Sequence, residues 1–205
     1  MTDRQRFSEP REGQVFADDE RRALEAVVRE GVGGVQLREK NLDGGPLFAR
    51  ARDLVTLCTP TSTRVVVNDR ADVARVANAH GVHLPEAGLS IDDARSLVGN
   101  ERLLGRSIHE PVAARESKGV DYLIFGPIFD TPSKRRYGAP QGLERLAEVS
   151  RTSDVPVFAI GGITPARVHG VLKSGAAGIA VMGAILSAED PASVVREFRN
   201  ALARP

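Results

Sequence analysis

The sequence predicts an α/β fold, because seven short apolar segments alternate with amphipathic helical segments along its 205 residues. The apolar segments are rich in valine, isoleucine and leucine, which is typical of parallel strands that are covered on both faces. Helices that connect such strands make right-handed crossovers, in either an open doubly wound sheet or a closed eight-stranded barrel. The even spacing and the total length favour a TIM (β/α)8 barrel.

The first half of the chain alternates in this way from residue 18 onward. Leu24, Val27 and Val28 recur at helical spacing, which predicts a helix that ends near Gly31. The predicted helices of this half cover residues 18–29, 46–57, 71–79 and 91–97, and the predicted strands cover residues 34–40, 64–69, 81–85 and 103–107. A barrel needs one more strand before residue 18. Residues 1–4 resemble only its polar end, so we expect a truncated first strand.

The second half continues the same alternation to the end of the chain. Its apolar runs stop at glycine-containing turns, and Pro165 stands where a helix would begin. The predicted helices cover residues 112–117, 143–149, 165–173 and 191–202, and the predicted strands cover residues 122–126, 156–160 and 177–182. We therefore expect one barrel domain over residues 1–205.

The composition narrows the class of protein. Hydrophobic residues make up 41% of the chain, and its 28 basic and 27 acidic residues nearly cancel, which argues against nucleic acid or a membrane surface as a partner. The chain has one cysteine, Cys58, a polar N-terminus and no apolar run long enough to span a membrane. We expect a cytoplasmic protein that would bind any anionic ligand through a local group of residues, and a homo-oligomer is compatible with this sequence.

Polar residues follow almost every predicted strand. In a barrel of this kind the active site lies at the carboxyl ends of the strands, so the fold would bring them together. Three of them are cations, which suits phosphate or pyrophosphate, and a carboxylate could hold Mg²⁺ on the same oxygens. The candidates are Gln36, Arg38, Lys40, Asn68, Asp69, Glu86, Ser107, His109, Thr131, Ser133, Lys134, Gly161, Gly162, Met182 and Gly183.

Two loops have the composition of anion sites. Residues 122–134 run from an apolar strand into a loop that presents Thr131, Ser133 and Lys134, two hydroxyls and an ammonium. The pair Gly161 and Gly162 follows the next strand and precedes a predicted helix start, where backbone N–H groups can face a phosphate.

Structural roles are the alternative at several of these positions. Arg38, Glu39 and Lys40 could form an ion-pair cluster on the barrel rim, and Asn68 with Asp69 could cap the next helix. Ser107 could be a hydrogen-bonded strand-end hydroxyl, and His83 a packed core residue. His109 is the histidine that we place near the active site.

The chain resembles the thiamine phosphate synthase superfamily, which also contains the thiazole tautomerases. The matching motifs occur in order and with matching spacing, and the resemblance extends from about residue 2 to the last helix. They are residues 35–40 (VQLREK), 68–70 (NDR), 81–84 (GVHL), 105–109 (GRSIH), 125–134 (FGPIFDTPSK), 159–163 (AIGGI) and 178–182 (GIAVM).

The resemblance implies a role for each matching residue. Asp69 would ligate Mg²⁺, and Gly162 with the backbone of Met182 and Gly183 would hold the phosphate of the thiazole. Lys134, Ser107 and Arg38 would be catalytic. The residues that contact the pyrimidine pyrophosphate would be Gln36, Arg38, Lys40, Asn68, Ser107, Thr131, Ser133 and Lys134.

The implied activity is the transfer of a hydroxymethylpyrimidine from its pyrophosphate to thiazole phosphate, which forms thiamine phosphate and releases pyrophosphate. Synthases of the family usually have a second carboxylate where this chain has Gly88, and Glu86 could replace it. Two alternatives therefore remain open: a thiazole tautomerase, or a non-catalytic paralogue that binds thiazole or thiamine phosphate as a regulator.

Overall fold

The computed structural model describes residues 1–131 and 139–203. These residues contain seven strands, which hydrogen bonds join in chain order from β1 to β7. The strands are β1 Gly34–Leu37, β2 Arg64–Asn68, β3 Gly81–Leu84, β4 Leu103–Ile108, β5 Tyr122–Phe125, β6 Val157–Ile160 and β7 Gly178–Ala180. The pairs β1–β2, β2–β3, β4–β5, β5–β6 and β6–β7 run parallel, as the alternation with helices predicts.

A helix lies between every two successive strands. The helices are α1 Asp18–Arg29, α2 Gly44–Cys58, α3 Ala71–Val76, α4 Ile91–Val98, α5 Val112–Glu116, α6 Gly142–Thr152, α7 Val168–Lys173, α8 Gly183–Leu186 and α9 Pro191–Leu202, with 3₁₀ turns at Arg4–Arg6 and Pro165–Arg167. Every predicted strand and helix is present. The helices predicted over residues 18–29 and 191–202 have the predicted bounds, and the other elements have shifted ends. In the described residues, no helix is long and apolar enough to cross a membrane.

Some predicted boundaries were wrong for local reasons. The helix predicted over residues 71–79 ends at Val76, because Asn78 adopts a left-handed backbone with φ 53°. The strand predicted over residues 34–40 ends at Leu37, and the one predicted over residues 177–182 covers only Gly178–Ala180. The short helix α8 was not predicted.

The chain divides into two compact units, and the single domain over residues 1–205 stays a prediction. Unit 1 consists of Met1–His83, Asp93–Leu103 and Met182–Arg196. Its β1 and β2 bury Leu37, Val65 and Val67 completely. Helix α1 buries an apolar face that includes Leu24 and packs against α2, which contacts β2 and contributes the fully buried Leu54. Helix burial and strand burial together give this unit a continuous core.

Residues before α1 occupy the edge of β1. The Thr2 N–H donates to the Gln36 carbonyl at 2.8 Å, and only 2% of Thr2 is exposed. Of the described residues before α1, Arg4–Arg6 form a 3₁₀ turn and none forms a strand. The polar segment thus makes one strand-like contact with β1, which agrees with a truncated first strand.

Unit 2 consists of Leu84–Asp92, Leu104–Val181 and Glu197–Pro205. Its largest fully buried side chains include Phe125 of β5, Ile128 and Leu146 of α6. Close packing explains one glycine in particular. A Cβ on Gly105 would lie 2.0 Å from the ring of Tyr122, so the neighbouring strand can carry this aromatic side chain only beside a glycine.

Candidate active site

Gln36 lies at the end of β1 in unit 1 with its side chain turned inward. The residue is only 7% exposed, and both polar atoms of its amide are buried without a hydrogen-bond partner in the described part of the chain. Buried amides in native proteins are nearly always paired, and leaving one unpaired costs free energy. We therefore interpret this amide as a group that can hydrogen-bond a polar ligand.

Arg38 and Lys40 follow β1. Within the described residues neither forms an ion pair, and the rim cluster with Glu39 is not found. The Glu39 carboxylate instead lies 3.9 Å from the Arg50 guanidinium, with both side chains 4% exposed. The two cations near the end of β1 are therefore available to an anionic ligand.

Asn68 is the last residue of β2, and Asp69 follows it. Leu37, the last residue of β1, pairs with Val67, so Arg38 and Asn68 each come one residue after this pair. Asp69 has φ 67°, a left-handed conformation that is uncommon outside glycine, and its N–H donates to the His83 carbonyl at 2.8 Å. Such backbone strain is concentrated at functional sites.

The Asp69 carboxylate is not used as a helix cap. Arg70 is the N-cap of α3, and no side chain caps that helix. Arg70 makes two hydrogen bonds to Asp72 at 2.9 and 2.6 Å, which lowers the pKa of the Asp72 carboxyl. The Asp69 carboxylate interacts electrostatically with Arg70 but forms no hydrogen bond or ion pair among the described residues, so its oxygens can bind an external ligand.

Met182 and Gly183 also belong to unit 1, where α8 begins. The Leu186 N–H donates to the Met182 carbonyl at 2.9 Å, which closes the short helix. A Cβ on Gly183 would lie 3.9 Å from a guanidinium nitrogen of Arg6, and Arg6 also donates to Ser187 Oγ at 2.7 Å. Arg6 was missed in the sequence analysis, since nothing local places the N-terminal turn beside α8.

In unit 2, His109 follows β4 and is fixed by two hydrogen bonds. Its Nδ1 lies 2.6 Å from the Gly126 carbonyl, and its backbone N–H donates to Glu86 Oε1 at 3.2 Å. Because a carbonyl only accepts, this hydrogen bond requires a proton on Nδ1. Ser107 lies two residues earlier on the same strand. Glu86 is thus engaged in holding the backbone after β4.

The loops after β5 and β6 are hydrogen-bonded to each other. The N–H groups of Ile128 and Phe129 donate to the carbonyls of Ile160 and Gly161 at 2.9 and 3.0 Å. A Cβ on Gly162, which has φ 65°, would lie 2.7 Å from the Asp130 carbonyl oxygen. The two glycines therefore permit an approach that no other residue allows.

Arg167 adds a side-chain contact to these loops. It donates to the Gly162 carbonyl at 2.6 Å and lies 4.5 Å from the centre of the Phe129 ring. Of the three polar residues that were predicted to bind phosphate in the loop after β5, only Thr131 is among the described residues. Ser133 and Lys134 lie outside the described residues.

Comparison with known protein families identifies the family of this chain. A family model described as thiamine monophosphate synthase matches residues 11–185. The chain belongs to this family. The sequence-based recognition of the thiamine phosphate synthase superfamily is thereby confirmed.

Individual members of this family match most of the chain. A thiamine-phosphate synthase of Chlorobium limicola is 39% identical over 189 residues, which cover 89% of this chain and 90% of the relative. One of Salinibacter ruber is 37% identical over 178 residues, which cover 86% and 78%. The solved structure of thiamine phosphate pyrophosphorylase from Pyrococcus furiosus superposes with a TM-score of 0.81 at 31% identity and covers 88% of both chains. These matches confirm the predicted TIM (β/α)8 fold with its truncated first strand.

The described residues fit a magnesium ion only if the substrate supplies some of its ligands. The described residues contain no group of three histidine, cysteine or acidic side chains that could enclose a metal. Mg²⁺ commonly binds through one or two carboxylates together with substrate phosphates and waters. The Asp69 carboxylate, which forms no hydrogen bond in the described part of the chain, fits this arrangement, in which the ion would be held jointly with a pyrophosphate.

Proposed function

We propose that this chain is a thiamine-phosphate synthase, a transferase of thiamine biosynthesis that joins hydroxymethylpyrimidine pyrophosphate to thiazole phosphate. The bond between the pyrimidine methylene carbon and the pyrophosphate oxygen breaks, and its electron pair leaves with pyrophosphate. The lone pair of the thiazole nitrogen then forms the new C–N bond of thiamine phosphate. Relatives of this name at 39% and 37% identity support the proposal.

The single observation that carries the proposal is the buried amide of Gln36, which has no hydrogen-bond partner among the described residues and which Arg38 and Lys40 follow in the chain. An amide donates and accepts hydrogen bonds in one plane, and an aminopyrimidine offers an acceptor next to a donor in the same way. Arg38 and Lys40 would neutralise the pyrophosphate as charge accumulates on it, which is the main electrostatic task in this reaction. Asn68 at the adjacent strand end would contribute a further polar contact.

Mg²⁺ is the proposed cofactor. It would be held by the Asp69 carboxylate together with substrate oxygens, and it would supply additional positive charge to the leaving pyrophosphate. The protein itself holds the carboxylate in place through the backbone bond from Asp69 to His83. In this arrangement the protein would supply one carboxylate to the ion and the substrate would supply further oxygens.

In unit 2 the proposal assigns phosphate-contacting roles to Ser107, Thr131 and Gly162. Two observations support this: Ser107 is the penultimate residue of β4, and hydrogen bonds from Ile128 and Phe129 hold the segment that contains Gly161 and Gly162. The assignments of Met182 and Gly183 in unit 1 to the thiazole phosphate stay predictions, as do those of Ser133 and Lys134. Alignment of the two substrates, with little chemistry by side chains, would account for much of the rate.

A pair of arginine variants tests the proposal. Arg38→Gln is expected to lower kcat/KM for the pyrimidine pyrophosphate by about 10²-fold, the usual cost of removing one charge-stabilising donor. Arg64→Gln is the matched control, because Arg64 is an exposed arginine at the amino end of β2. Pyrophosphate release is measured with both substrates present. Equal kinetics in the two variants would overturn the assignment of Arg38, and no release by the wild-type protein would overturn the proposed function.

A further inference from the structure

Thr2 forms three hydrogen bonds with the segment that carries the proposed pyrophosphate-binding residues. Its N–H donates to the Gln36 carbonyl at 2.8 Å. Its hydroxyl accepts from the Arg38 N–H at 2.9 Å and donates to Glu39 Oε1 at 2.6 Å. A hydroxyl is suited to this position because it can donate and accept at the same time.

The bond to Arg38 replaces a missing ladder bond. Strand β1 ends at Leu37, so the next N–H would otherwise lack an acceptor from the sheet. Thr2 is 2% exposed, and water therefore does not substitute for its hydroxyl. Without the Thr2 hydroxyl, the half-buried Arg38 N–H would lose its hydrogen-bond acceptor, and we expect the backbone at Arg38 to shift toward another one.

Glu39 is itself held from several sides. Its second oxygen accepts the Arg4 N–H at 3.1 Å, and its first lies 3.9 Å from Arg50. Arg50 is 3% exposed, bonds Glu20 and donates to the Val15 carbonyl at 2.8 Å. A buried charge in such a network has little freedom to rotate, because any move leaves it unpaired. Thr2 is consequently anchored to the core of unit 1 and not to the surface.

We propose that Thr2, anchored by Glu39, is a positioning residue that sets the place of Arg38 and Gln36 for pyrophosphate binding. This inference rests on the proposed function of those two residues. Neither Thr2 nor Glu39 touches the substrate. Their effect is to fix the backbone from which the binding side chains project, and an ångström-scale displacement of such side chains is costly.

The test uses Thr2→Val, Thr2→Ser and a matched control. Thr63 is an equally buried threonine of unit 1, 1% exposed, whose hydroxyl donates to the Val32 carbonyl at 2.9 Å before β2 begins. Thr2→Val is expected to raise KM for the pyrimidine pyrophosphate by roughly tenfold, with KM for thiazole phosphate unchanged. Thr2→Ser retains the hydroxyl and should restore the wild-type value. Thr63→Val should lower Tm without changing either KM.

A binding measurement separates this inference from the proposed function. The Kd of inorganic pyrophosphate with Mg²⁺ is measured by calorimetry for the wild-type protein and the same three variants. The inference expects roughly tenfold weaker binding in Thr2→Val alone, whether or not turnover is seen. Equal Kd values in Thr2→Val and Thr63→Val, or no binding by the wild-type protein, would overturn it. No turnover with intact pyrophosphate binding would instead refute the proposed reaction alone.

Discussion

Replacing His83 should remove much of the pH dependence of folding. His83 lies in β3 and is 1% exposed. It is paired with Asn68 in the sheet, and its backbone carbonyl accepts the Asp69 N–H. Burial lowers the pKa of its imidazole from 6.5 to about 4. The residue is therefore neutral in the folded chain at pH values where the unfolded chain already binds a proton.

The sign and size follow from proton linkage. Between pH 6.5 and 4 the unfolded state binds more protons at this site, so stability is fully present above the unfolded pKa and falls as the pH drops. The whole shift corresponds to about 3 kcal/mol. By pH 5 the unfolded imidazole is almost fully charged and the folded one almost neutral, which corresponds to a loss of about 2 kcal/mol relative to pH 8.

Urea denaturation at pH 8 and pH 5 measures this loss. The decline in unfolding free energy should be smaller by about 2 kcal/mol in His83→Leu than in the wild-type protein, since all other titrating groups are common to both. His169→Gln, which changes an exposed histidine of α7, should leave the decline as it is in the wild type. A difference below about 0.5 kcal/mol between His83→Leu and the wild type would refute the reasoning.

Two further variants test the packing around the proposed site. Gly162→Ala should destabilise the chain by about 2 kcal/mol, because a left-handed φ costs a side chain about 1–2 kcal/mol and its Cβ would lie 2.7 Å from the Asp130 carbonyl oxygen; Gly45→Ala in α2, with open space around its Cβ, should not lower Tm. Arg50→Met should cost about 3–5 kcal/mol in thermal or urea unfolding, because it leaves Glu20 and Glu39 buried without a cation, whereas Arg52→Met on the exposed face of α2 should cost less than about 1 kcal/mol. A loss in Arg50→Met no greater than that in Arg52→Met would contradict the buried network, and an undiminished Tm in Gly162→Ala would contradict the close loop contact.

Local sequence patterns were enough to predict the strands and the residues that follow them. Strands such as β2 have an apolar centre, here Val65, Val66 and Val67, and in a parallel α/β barrel the active site lies at the carboxyl ends of the strands. The candidates Gln36 and Asp69 could be found for that reason. The burial of the Gln36 amide and the left-handed backbone of Asp69 could not be predicted in this way, because both depend on the surrounding residues in the folded chain.

Glu39 shows why the rest of the site could not be read from local patterns. It stands between two basic residues, so a surface ion-pair cluster was a reasonable hypothesis. Its actual partners are Thr2, Arg4 and Arg50, which are distant in sequence and are brought to it only by folding. Helix α8 was overlooked for a related reason, since its four residues begin with a glycine and carry no cap signal.

The measurement that tests the central claim most directly is pyrophosphate release from the pyrimidine pyrophosphate and thiazole phosphate together, with and without Mg²⁺. The wild-type protein should release pyrophosphate only with both substrates and the metal, and Asp69→Asn should lose at least about 10²-fold in kcat/KM. Asp53→Asn, which removes a carboxylate that pairs with Arg21, should keep the wild-type rate. Pyrophosphate release at the same rate with and without Mg²⁺, or no release by the wild-type protein, would contradict the account.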